Sequence, residues 1–164
     1  MGPILLSTIL CTLVSAGCKK ATELVAPSTP RAISGRCDLT ISPATGPAPT
    51  PPLIRQTDSG TCNLTRLGRV AFTGGLEINP VAGTQVGERT LTVANGDVLR
   101  MTSAGTSALS APGVVSFVAT ITFVGGTGQF ANATGQARAE GSANMMTSKT
   151  TMQMDGLITY SGPR

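Results

Sequence analysis

Arg89-Thr-Leu-Thr-Val-Ala-Asn-Gly-Asp-Val-Leu-Arg-Met101 reads as two strands folded back on one another. Asn95-Gly96 is the pair a two-residue type I′ turn prefers, because both central residues take positive φ. On either side apolar and polar residues alternate with period two, the mark of a strand with one buried face. A chain organised around such turns sets sequential strands antiparallel.

The same period extends outward in both directions. Residues 114–124 place Val115, Phe117, Ala119, Ile121 and Phe123 on one face, and Ser116, Thr120 and Thr122 on the other. Residues 136–145 alternate Ala137, Ala139, Gly141, Ala143 and Met145 with Gln136, Arg138, Glu140, Ser142 and Asn144. The last strand alternates Met152, Met154, Gly156, Ile158 and Tyr160 with Gln153, Asp155 and Thr159. Upstream, a single strand is expected over 64–78, with Val70, Phe72, Leu76 and Ile78 on its apolar side. From Arg31 onward, Ile33, Gly35, Cys37, Leu39 and Ile41 alternate with Ser34, Arg36, Asp38 and Thr40. Between these two strands lies an extended, exposed loop over 42–52, with prolines at 43, 47, 49, 51 and 52. Seven strands result, with room for an eighth near 53–61.

The links are short, and no helix-length amphipathic stretch follows the N-terminal segment. The expected fold is therefore all-β, an antiparallel up-and-down closed barrel of about eight strands, since closure removes exposed edges. A two-sheet sandwich is the alternative. A lipid-facing outer-membrane barrel fits less well, because it needs aromatic bands and this chain has one Tyr, four Phe and no Trp. Small Ala and Gly positions in one strand face Phe and Ile in another, as in a tapering barrel. That pattern predicts a small, aliphatic interior with little room for a cavity.

The N-terminal segment fits the apolar core of an export signal. Residues 4–14 are mostly apolar but too short for a bilayer span, which takes about 20 residues. Ser15-Ala16-Gly17-Cys18 follows, then Lys19-Lys20. Small residues before a cysteine resemble the bacterial lipoprotein signal. That resemblance implies cleavage before Cys18, lipidation of its sulfur, and an anchor of several acyl chains that does not readily leave a membrane. It divides the chain into a signal peptide (1–17), a lipidated cysteine and tether (18–30) and a barrel domain (31–164). Lys19 favours an outer-membrane address if the host has two membranes. The rival readings are an ordinary secretory signal on a secreted or periplasmic protein, and a buried N-terminal helix.

Two cysteines remain beyond the anchor, Cys37 and Cys62. In an oxidising compartment they pair as a disulfide, closing a loop of about 25 residues worth about 3 kcal/mol. The alternative is two free buried thiols. With no histidine in the chain, a Ser-His-Asp triad, a Cys-His dyad and the common zinc sites are excluded, and no metal or other cofactor motif is present.

The net charge is +4 and the pI about 9.2. The cations, among them Arg66, Arg69, Arg89, Arg100 and Arg138, are scattered without interleaved aromatics, which reads as a solvated surface and argues against nucleic acid as a partner. Asp38, Asp58, Glu77, Glu88, Asp97, Glu140 and Asp155 are equally dispersed, and none forms an evident acid–base couple.

Gly125-Gly126-Thr127-Gly128-Gln129-Phe130, followed by Gly135, stands out. A glycine-rich phosphate loop opens a helix, whereas here a strand follows, so a tight connection is the plain reading. The run resembles the Gly-Gly-Thr-Gly-x-Phe…Gly signature of the allene oxide cyclase and dirigent barrels. It is still more similar to secreted bacterial proteins that share it, with their closing Gly-x-Ile-x-Tyr strand matched by Gly156-Leu-Ile-Thr-Tyr160. The likeness spans about residues 31–161 and implies an eight-stranded antiparallel barrel. It brings no catalytic residue, because none of those enzymes' catalytic positions matches here.

The expectation for function is a lipid-anchored or secreted envelope barrel with a non-enzymatic structural or interaction role. The alternative is a barrel that binds a small apolar ligand, with Met145, Met152 and Met154 as adaptable lining. A cyclase- or dirigent-like enzyme comes last. An open interior with convergent polar groups would favour the binder.

Overall fold

The computed structural model describes residues 29–161. Eight strands run β1 Arg31–Pro43, β2 Ile54–Leu64, β3 Gly68–Asn79, β4 Thr84–Thr92, β5 Val98–Ala111, β6 Val114–Gly126, β7 Thr134–Asn144 and β8 Lys149–Thr159. Each pairs antiparallel with the next, and β8 returns to pair with β1, closing the barrel. The up-and-down closed barrel read from the alternation is the observed fold.

The interior faces of β1, β6 and β8 are those the period predicts. Ile33, Cys37, Leu39, Ile121, Phe123, Met152, Met154 and Ile158 are all buried. Several boundaries differ from expectation. β4 starts at Thr84 and β5 runs on to Ala111. The connection between them is the five residues 93–97 and not a two-residue type I′ turn. Only Gly96 takes positive φ, while the Asn95 side chain accepts from the Asp97 N–H at 3.0 Å and holds the longer turn. The strand expected over 64–78 is broken at residues 65–67, where Arg66 and Gly68 both take φ of 68° and turn the chain. The residues before the break form β2, which fills the place of the eighth strand. β7 ends at Asn144, so Met145 leaves the wall. There the Asn144 Oδ1 accepts from the backbone N–H of Met146 and Thr147 at 3.0 and 3.1 Å, which bends the chain into its turn.

Cys37 and Cys62 face each other across β1 and β2 and are joined by a disulfide, with both residues fully buried. Residues 42–53 and the start of β2 lie inside the loop of separation 25 that it closes. Cys37→Ser/Cys62→Ser is expected to lose about 3 kcal/mol, the entropy returned to the unfolded chain. At this size that is a melting temperature about 12 °C lower, read by circular dichroism with and without reductant.

One end of the barrel is sealed. The connection 127–133 folds over it, placing Phe130 at zero exposure with its ring 5.1 Å from that of Tyr160. This connection is clamped to the Asn95-Gly96 hairpin. Val98 N–H donates to Thr127 Oγ1 at 2.8 Å, and Gln129 N–H donates to the Asp97 carboxylate at 3.0 Å. Gly128 has φ of 51°, and a Cβ there would fall on that carboxylate, so glycine is required on both counts.

Candidate functional site

The opposite end is open. Connections 44–53, 80–83, 112–113 and 145–148 surround it, and a cavity of about 260 Å³ runs inward between them. Its walls are apolar, with Leu39, Leu76, Val115, Phe117 and Met152 among the lining residues. On β2 and β4 the lining turns polar, with Gln56, Asp58, Gln85 and Arg89. These four are between 5% and 7% exposed.

Strand register explains how two ions come together inside a barrel. Asp58 on β2 is level with Gly74 on β3, and Gly74 with Arg89 on β4. Gly74 contributes no side chain, and a Cβ there would collide with the stem of Arg89. The Arg89 side chain therefore crosses β3 on the inside and brings Nη2 to 3.5 Å from Asp58 Oδ2. Nη1 donates to Ser103 Oγ, whose hydroxyl in turn donates to the Gly87 carbonyl at 3.4 Å. Gln56 Nε2 donates to Asp58 Oδ1 at 3.3 Å.

This network is incompletely satisfied. The Arg89–Asp58 contact is single and long, where a bidentate fork at 2.7–2.9 Å would be the strong arrangement. Arg89 Nε is buried without a partner among the described residues. Burial raises the Asp58 carboxyl pKa above its ordinary value, and Arg89 only partly offsets this. Burial likewise lowers that of Arg89, against the opposing pull of Asp58. Desolvation outweighs attraction on both partners, the usual balance for a buried ion pair.

Asp58 and Arg89 are thus not the dispersed carboxylate and the solvated cation that the sequence indicates. The other acids behave as read. Asp38, Glu77 and Glu140 lie on the outer wall against Arg36, Arg55 and Arg138, at 3.3, 2.9 and 2.7 Å. Asp155 is exposed. The small, aliphatic interior holds at the sealed end and fails at the mouth, where β2 and β4 turn polar side chains inward. Of the three methionines, Met152 and Met154 are buried, while Met145 is half-exposed at the rim.

The glycine motif lies at the sealed end. Gly125, Gly126, Thr127, Gly128, Phe130 and Gly135 shape the plug and its strand junctions, and none of them lines the cavity. Cys18 and the N-terminal segment expected to be an export signal lie outside the described residues. Among the described residues no three His, Cys, Asp or Glu side chains converge as metal ligands, and no helix is long and apolar enough to cross a membrane. β2 could have been phased from Cys62, because counting back by twos places Asp58 and Gln56 inward. Gly74-Gly75 inside a strand is the second available signal, marking a close approach.

Comparison with protein-family models, with curated proteins and with solved structures found no match.

Proposed function

We propose that this protein is an exported bacterial envelope barrel, anchored through Cys18 or secreted, that binds a small amphiphilic molecule in its open end. The observation that carries the binding role is an apolar cavity ending on a buried, under-satisfied Arg89–Asp58 pair. Apolar walls with a few convergent polar groups are the usual make-up of a small-molecule site. An interior serving structure alone gains nothing from such a pair, since apolar residues of similar volume are often as stable or more so. The apolar run and small residues before Cys18 support export, and so does the Cys37–Cys62 disulfide.

The cavity's size restricts the ligand. At about 30 Å³ per non-hydrogen atom, the volume of 260 Å³ holds a molecule of roughly nine such atoms. Its body is apolar. Its head accepts a hydrogen bond from Arg89 and donates one to Asp58, as a hydroxyl or an un-ionised acid does. No acid–base couple and nucleophile stand together here, so the reading is binding and not turnover.

Octanol, with nine apolar and hydroxyl heavy atoms, is a suitable probe. Native mass spectrometry and ligand-observed NMR are expected to show one saturable site, with Kd between roughly 1 µM and 1 mM for a ligand this small. Asp58→Leu/Arg89→Met keeps the cavity apolar and removes the head contacts, and is expected to weaken binding about 10- to 100-fold. Equal binding by parent and double variant, or none by the parent, would refute the reading.

A further inference from the structure

Antiparallel strands divide their connections between the two ends, and the ends differ in chemistry. None of residues 44–53, 80–83, 112–113 and 145–148, which ring the mouth, is charged. The sealed-end connections carry Arg66 and Asp97. Large apolar side chains also stand out at the mouth. Val81 and Met146 are each 83% exposed and Leu109 is 72% exposed, with Ile54 and Met145 half-exposed beside them. They come from separate hairpins around the opening. Ile54, Leu109 and Met145 also line the cavity, so rim and interior form one continuous apolar surface.

The two most exposed tips share one device. Asn79 Oδ1 accepts from the N–H of Val81 and Ala82 at 3.1 and 3.0 Å. Asn144 does the same for Met146 and Thr147. Each tip thus has backbone donors satisfied from within its own turn while its apolar side chain points outward. A turn built this way enters an apolar medium at low cost, because the groups that would otherwise hold water are already bonded.

We propose that the rim is a docking face for an uncharged lipid surface, with Val81 and Met146 as its leading side chains. Separate tips around a hole suit a fluid layer better than the flat, register-fixing surface of a folded partner, where complementary charges set orientation. The nearest charges favour no anionic headgroup strongly. Arg55 is paired with Glu77, and Lys149 alone remains, donating to Thr40 Oγ1. Docked in this way, the mouth opens directly onto the acyl boundary, and an amphiphile passes between lipid and cavity without crossing water. Only that last step rests on the cavity reading.

The test uses residues 19–164, so that neither an acyl group nor the apolar leader contributes, with and without Val81→Ser/Met146→Ser. Neither residue lines the cavity. Flotation with phosphatidylcholine vesicles is expected to show binding of the first chain, reduced at least tenfold in the second. Binding should change little with salt or with added anionic lipid. The rim variant keeps octanol binding in solution, while Asp58→Leu/Arg89→Met keeps vesicle binding, so the two readings fail separately. Equal flotation of both chains overturns the docking face, and so does binding that needs anionic lipid and is lost in salt. A dimer that the rim substitutions dissociate, in a chain that ignores vesicles, makes a second copy the partner and also overturns it.

Discussion

Asp58→Ala is expected to cost about 3–5 kcal/mol of stability, because it leaves the Arg89 guanidinium buried without its counter-charge. Arg89 is only 7% exposed, and its remaining partner is the Ser103 hydroxyl. Asp58→Leu/Arg89→Met should recover most of the loss, since it removes both charges and fills the space. The urea midpoint of the two variants against the parent measures this, and a double variant no more stable than Asp58→Ala would contradict the account. The pair also imposes a pH dependence. Burial raises the folded-state pKa of Asp58 above 3.8, so the folded chain holds that proton more tightly than the unfolded one. The resulting stabilisation is complete below pH 3.8 and is lost as pH rises through the folded value. Asp58→Asn cannot titrate and should lack this descent. Stability curves of parent and Asn variant that run parallel over that window would count against it.

Phe130→Ala is expected to cost about 3–5 kcal/mol, the range for removing a fully buried aromatic whose site cannot collapse. Collapse is prevented here because the ring seals a barrel end whose walls are tied by continuous strand pairing, and it rests against Tyr160. At roughly 4 °C per kcal/mol for a domain of this size, the melting temperature falls about 12–20 °C. The mouth lies at the other end, so octanol binding should survive below the new transition. Lost binding with an unchanged melting temperature would reverse the roles given to the two ends.

Where one side of a strand is apolar, the period two told its inward face plainly. β6 and β8 have the phase the alternation indicates, down to Phe123 and Met154. β2 was the least legible strand, and the reason is physical. Gln56, Asp58 and Gly60 occupy the inward positions that would otherwise have announced it, so the residues that build the site also conceal the strand that carries it. Arg89 reads as a surface cation because charges are normally left in water. Its burial depends on Gly74 and Asp58, one and two strands away, a relation no local window contains. The glycine run is legible as a turn. Its aromatic becomes a plug only through the distant closure of the sheet.

That closure also has a kinetic side. Every strand but one can pair with its predecessor as soon as it is made, whereas β1 waits for β8 to complete its second ladder. Domains form during synthesis from the N-terminal end, and a contact between the first and last strands is the kind that slows folding. Throughout that interval the outer edge of β1 is bare, and bare edges recruit other chains. The interval of greatest hazard for this protein is therefore its birth. A chain halted before Lys149 would keep two unpaired edges permanently, and the aggregation of such truncated chains, set against the full length, is where the delay would be seen.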